Sequence, residues 1–137
     1  MIRLTEKMYA PVMAQHRIPF IHEDLAKLAD ILITAGNALV VERNDKIVGV
    51  AAWLIVSHPC NLKCRIFQEL LWCVESEVPT DALSLFRALE VRAKEERVDV
   101  IVLGSIGPEN ELPMRHIYER AGYTFLENHF SKSGEEL

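Results

Sequence analysis

Residues 65–103 constrain the fold of this chain more than any other stretch. R-I-F-Q-E-L-L-W-C-V, at positions 65–74, is apolar enough to form a central strand buried on both faces. A turn containing Pro79 follows, and Thr80 or Asp81 can cap a helix beyond it. In that helix Ala82, Leu85 or Phe86, Leu89 and Ala93 fall on one face, with Arg87, Glu90, Arg92, Lys94 and Glu95 mostly elsewhere. V-D-V-I-V-L, at 98–103, then reads as a second strand. Strand, helix and strand in this order predict a parallel crossover, and such crossovers are right-handed in nearly all cases.

The flanking segments extend this unit. Residues 2–4 predict a short first strand, and Pro11 belongs in the first turn of a helix reaching His16. Pro19 and Phe20 mark a loop. Glu23 and Asp24 suit the positive end of a helix in which Leu25, Leu28, Ala29 and Leu32 repeat at helical spacing, and Gly36 supplies its stop. Two Val-rich runs, 38–43 and 47–56, flank Asn44-Asp45 as a hairpin, with residues 57–63 as its exit loop. Residues 110–121 predict a last helix that ends at Gly122, and 123–132 a last strand. The order β-α-α-β-β-β-α-β-α-β predicts an α/β fold, a mixed central sheet with helices on both faces.

At 137 residues the chain has the length of one ordinary domain, placed at 1–132 with a frayed tail at 133–137. A net charge of −5 argues against a nucleic-acid partner, whose phosphates call for clustered Lys and Arg, and leaves room for a cationic acceptor. The N-terminus, with Arg3, Glu6 and Lys7, lacks the apolar stretch of a signal peptide, and no run approaches the ~20 apolar residues of a membrane span. The expectation is a cytoplasmic protein with no membrane partner and with Cys60, Cys64 and Cys73 reduced. His58, Cys60 and Cys64 form H-x-C-x-x-x-C, which would need a fourth ligand for structural zinc. A flexible loop explains them as well, and no metal is expected.

Three stretches carry a resemblance to a known family. They are V-V-E-R-N-D-K-I-V-G-V at 40–50, F-Q-E-L-L-W-C-V at 67–74 followed by L-F-R-A-L-E-V-R-A-K-E, and I-Y-E-R-A-G-Y at 117–123. With the element order they resemble the GNAT superfamily of acyl-CoA N-acyltransferases over nearly the whole chain. The E-L-L-W strand and the A-x-E-x-x-A helix are most similar to its compact, phage-related members. The resemblance implies that the strands at 65–74 and 98–103 splay apart, and that the gap receives the pantetheine arm of acetyl-CoA. It also implies transfer of an acetyl or short acyl group to a primary amine, on a small molecule or a protein, by direct attack. Subunit contacts through the last strand, and hence a homodimer, belong to the same picture.

Carried over residue by residue, the resemblance makes Glu69 the base that deprotonates the amine and Tyr118 the group facing the thioester sulfur. From the residues alone, Glu69 is equally a structural ion-pair partner and Tyr118 a core ring beside Met114, Ile117 and Ala121. Main-chain groups of Cys73 and Val74 would meet pantetheine, and Thr80, Asp81, Ala82 and Leu83 would open the helix facing the pyrophosphate. Asn110 approximates an asparagine that the family carries before its last helix, and also reads as a plain N-cap. The loop E-S-E-V-P-T-D-A at 75–82 departs from the family pattern: it has no glycine and no Arg or Lys. Pro79 removes a donor, and Asp81 would repel a phosphate unless it turns away. That departure motivates an alternative, a non-catalytic protein-binding module of the same fold that has lost coenzyme A.

Overall fold

One tight turn starts the sheet. In the computed structural model, which describes residues 1–105, 108–126, 129, 131, 132 and 134, Asn44 and Asp45 take φ of 51° and 59°. Two successive left-handed residues make the turn whose twist matches that of a two-residue hairpin. They join β1, Ala38–Arg43, to β2, Lys46–His58, with Arg43 opposite Lys46 and Ala38 opposite Ala52. The expected hairpin is present.

β2 passes through Pro59 and Cys60 into β3, Asn61–Val74. The loop expected at 57–63 is largely ladder instead, since Ser57 faces Arg65 and His58 faces Asn61. β4, Val100–Val102, runs parallel to β3, with Ile66 opposite Val100 and Gln68 opposite Val102. It is shorter than expected, but Asp99 prolongs the contact. Its N–H donates to the Arg65 carbonyl at 2.9 Å, and its carboxylate accepts the Arg65 N–H at 2.8 Å. The sheet order is β1-β2-β3-β4, with only the last pair parallel.

Helices α1, Ile2–Gln15, and α2, His22–Thr34, cover one face, and α3, Pro79–Glu95, covers the other. Strand alternation divides the core between them. Val50, Ala52 and Leu71 pack with Leu4 and Leu32, while Ala51, Trp53 and Phe67 pack with Leu85, Leu89 and Ala93. The mixed sheet with helices on both faces is thus the observed architecture. Helix α4, Pro108–Arg120, follows β4. Among the described residues no helix is long and apolar enough to cross a membrane.

Several boundaries differ from expectation. Residues 2–4 open α1 rather than forming a strand, because Leu4 and Met8, one helical turn apart, both reach the core beside Val50 and Leu71. Pro11 therefore lies inside α1 and not in its first turn, leaving the Lys7 carbonyl without its helical donor. Among the described residues of 123–132 none is in a strand, while 127, 128 and 130 lie outside the described set. Tyr123, the first residue of that stretch, instead packs its ring on Phe86 and Tyr118. The tail expected at 133–137 also lies outside the described residues, apart from Gly134.

The stop at Gly36 is borne out, and its geometry is specific. Asn37 N–H donates to the Leu32 carbonyl at 2.8 Å and Gly36 N–H to that of Ile33 at 3.0 Å, with Gly36 at φ 73°. This doubly bonded ending requires a left-handed residue. Gly36→Ala should lower stability by about 1 kcal/mol, read as a lower urea midpoint with unchanged slope.

Candidate active site

β3 carries one residue more than its ladder needs. Ala52 faces Leu71 and Trp53 faces Glu69, so Leu70 between them has no partner on β2. A β-bulge of this kind shifts the alternation of the side chains that follow. Phe67 ahead of it, and Trp72 and Val74 beyond it, pack on the α3 side, whereas Leu70, Leu71 and Cys73 pack towards α1. Pairing with β4 stops at Gln68. From Glu69 to Val74 the far edge of β3 has no partner strand among the described residues.

Glu69 stands where the two strands part. Gly104, just after β4, donates its N–H to Glu69 Oε2 at 2.8 Å, and its carbonyl accepts the Tyr118 hydroxyl at 2.7 Å. One residue thus links a carboxylate from β3 to a phenol from α4. Burial pushes the Glu69 carboxyl up from 4.5 to about 7, and the Gly104 N–H pulls part of the way back. Burial, with smaller contributions from Glu69 and Tyr123, holds Tyr118 far above the ordinary tyrosine value, so it stays protonated. Trp72, Phe86, Tyr118 and Tyr123 hold one another with ring centroids 5.7 to 6.1 Å apart, which fixes the phenol against Gly104.

The loop before α3 differs from expectation. Val78 occupies the cap position and Pro79 starts the helix, so neither Thr80 nor Asp81 is the cap. Asp81 turns inward and is 4% exposed. Arg43 Nε and Nη2 grip its two oxygens at 3.0 and 2.6 Å, and the Ser76 hydroxyl adds a bond of 2.5 Å. This bidentate pairing holds the Asp81 carboxyl below the usual range and neutralises its charge. Glu75 is engaged too: Lys7 and Arg3 of α1 both pair with it and hold its carboxyl down to about 2. Its N–H donates at 2.6 Å to the carbonyl of Val48, the surplus residue of a second bulge, in β2. Two of the three acids in the loop are therefore paired with cations, leaving Glu77 exposed.

Of the other candidates, Cys73 is half-buried on the α1 side, and burial pushes its thiol up to about 11. Such a thiol is a poor nucleophile. Val74 packs on the α3 side. Ala82 is half-buried, and Thr80 and Leu83 are exposed. Asn110 falls in the first turn of α4, not ahead of it, because the helix begins at Pro108; its side chain lies outside the described residues. His58 Nδ1 accepts the Cys60 N–H at 3.1 Å, and among the described residues no group of His, Cys, Asp or Glu is placed to hold a metal ion.

Three residues of this region escaped the sequence reading. Arg43 meets Asp81 across 38 positions, which no local pattern announces. Gly104 contributes only main-chain groups. Tyr9, next to Met8 on the apolar side of α1, donates its hydroxyl to the Leu70 carbonyl at 2.6 Å. Thr5, buried one helical turn before it, shares that face, but a threonine does not announce it as an apolar pattern would.

No family model and no curated protein sequence matches the chain. Solved structures do. A Clostridium acetobutylicum protein described as a predicted acetyltransferase, solved with acetyl-CoA, superposes with a TM-score of 0.68 at 18% identity, over 99% of this chain and 92% of that one. Glucosamine-6-phosphate N-acetyltransferase from Arabidopsis thaliana gives 0.65 at 15% identity, over 98% and 94%. An aminoglycoside acetyltransferase from an uncultured soil metagenomic sample gives 0.66 at 15%, over 96% and 86%. The fold is that of the GNAT acetyltransferases. The Glu69–Gly104–Tyr118 link lies where the pairing of β3 with β4 stops.

Proposed function

We propose that the chain transfers an acetyl group from acetyl-CoA to a primary amine by direct attack in a ternary complex. The observation that carries this reading is the convergence of Glu69 and Tyr118 on Gly104, where β3 loses its partner strand. The far edge of β3, including Cys73 and Val74, is the stretch of main chain that would receive the pantetheine arm. Trp72 Nε1 there is buried with no hydrogen-bond partner among the described residues, an unused donor on that stretch. Thr80, Asp81, Ala82 and Leu83 would receive the pyrophosphate through main-chain groups, and Asn110 would lie along the arm. With Asp81 neutralised by Arg43, the one acid within the first turn of α3 no longer opposes an anion there.

In this reading Glu69 takes a proton from the incoming ammonium, whose pKa is near ~10.4. The amine nitrogen bonds to the thioester carbonyl carbon, the carbon–sulfur bond breaks with its electron pair leaving on sulfur, and the second proton lost by the nitrogen ends on that thiolate, giving the amide and the free thiol. Tyr118 exchanges its Gly104 bond for one to that sulfur. Because its phenol is a weaker acid than a thiol, it stabilises the thiolate by a hydrogen bond and keeps its own proton. Holding both reactants at one apex supplies much of the acceleration. The fold neighbours named for glucosamine-6-phosphate and for aminoglycosides make amino sugars the first acceptors to try.

Calorimetry should give a saturable acetyl-CoA isotherm in the micromolar range. With an accepted amine, Tyr118→Phe should lower kcat by about tenfold at unchanged acetyl-CoA affinity. Full turnover in that variant would remove Tyr118 from the mechanism. One observation favours the second reading, a non-catalytic protein-binding module. Pro79 has no N–H, and that of Asp81 already donates to the Val78 carbonyl at 3.0 Å, so the first turn of α3 is short of donors. An isotherm that stays flat to millimolar acetyl-CoA would decide for it.

A further inference from the structure

The bulge in β3 leaves the Leu70 carbonyl to find a partner outside the β2 register, and the partner comes from the opposite layer. Tyr9 reaches across from α1 and donates its hydroxyl to that carbonyl at 2.6 Å. Leu70 follows Glu69 directly, so Glu69 is held on one side by its pairing with Trp53, and the Leu70–Leu71 peptide on its other side is held by Tyr9. The Glu69 side chain, one residue before that anchored peptide, meets the Gly104 N–H with its carboxylate. We propose that Tyr9 is a positioning residue for Glu69: by holding the Leu70 carbonyl it fixes the bulge that aims the Glu69 carboxylate at the Gly104 N–H. Its bearing on turnover rests on Glu69 being the base; its bearing on geometry does not.

The surroundings favour this role. The titratable groups that sense Glu69 are Tyr9 from α1, Cys73 from β3 and Tyr118 from α4, while Phe86 of α3 packs against the Tyr118 ring. Burial first, and the Glu69 and Cys73 charges next, push the Tyr9 hydroxyl up to about 12, so it remains a donor across the working range. Removing that hydroxyl leaves a half-buried carbonyl without this donor, and the bulge loses its tie to α1.

The test reads geometry directly. In nitrogen-15-labelled protein titrated from pH about 5 to about 9, the Gly104 amide should move as Glu69 ionises, because it donates to that carboxylate. Glu69→Gln should abolish this titration, which identifies its source. Tyr9→Phe, which keeps the ring, should cut its amplitude by more than about half and lower kcat by about tenfold with acetyl-CoA affinity unchanged. A folded Tyr9→Phe protein with the wild-type amplitude and midpoint overturns the proposal, whatever its urea midpoint. Should that variant fail to fold, the Tyr9 hydroxyl proton of the wild-type protein must itself shift as Glu69 titrates, and a stationary resonance overturns the proposal. Undiminished turnover in Glu69→Gln would sink the base assignment alone, since the Gly104 readout stands apart from it.

Discussion

Glu69→Gln should lower kcat by about 10²–10³-fold while leaving acetyl-CoA affinity unchanged, the loss expected when a positioned general base is removed. The amide keeps the shape of the carboxyl group and can still accept the Gly104 N–H, so what disappears is the ability to take a proton. In the wild-type protein kcat/KM should rise with pH through about 7, as the buried carboxyl ionises, and the variant should lack that limb. Stability should move the other way. Between 4.5 and about 7 the folded protein holds a proton on Glu69 that the unfolded chain has released. Folding stability therefore falls as pH rises through that window, at about 1.4 kcal/mol per pH unit, with the partial exposure of Glu69 trimming the total. Above pH 7 the variant should accordingly be the more stable protein, by about 2–3 kcal/mol in urea unfolding. A variant that is equally active and no more stable would mean that Glu69 is neither the base nor a strained charge.

Phe67→Ala should cost about 3–5 kcal/mol, a large part of the stability of a domain this size. Phe67 is fully buried, stacks on Trp53 with ring centroids 5.0 Å apart, and stands opposite Ile101 in the middle of the short β3–β4 pairing. Its loss opens a cavity between the sheet and α3 that Leu85, Leu89 and Ala93 cannot close without moving the helix. It also loosens the pairing that ends just before Glu69. Urea unfolding checks the number, with Leu83→Ala on the exposed side of α3 as a control expected to stay within about 0.5 kcal/mol. A loss under about 1 kcal/mol would show that the sheet and α3 do not share a tightly packed layer.

The hairpin and the crossover were legible because their signals are local. Asn44-Asp45 states its turn in two residues, and the alternation around Trp53 and the spacing of Leu85, Leu89 and Ala93 state their faces. Ile2, Arg3 and Leu4 misled because three residues satisfy a strand pattern as well as a helical one, and only the packing of Leu4 with Met8 decides between them. At the site, Glu69 and Tyr118 could be picked out by their place in two family-like stretches. What joins them could not. Gly104 acts through its main chain, and the Arg43 grip on Asp81 exists only once the hairpin is laid beside α3. The acidic loop looked hostile to phosphate because sequence counts charges without their partners, and Lys7, Arg3 and Arg43 all come from other elements.

The surplus residue in β3 has an architectural consequence. Were Leu70 excised, Glu69 would be followed by Leu71, and Leu71, Trp72, Cys73 and Val74 would all keep the sides they now occupy. Of the hydrophobic layers, only the contribution of the Leu70 side chain to the α1 side would be lost. The alternation of the strand therefore does not call for the extra residue; what it adds is a carbonyl turned out of the ladder, which ties the middle of the sheet to α1 through Tyr9.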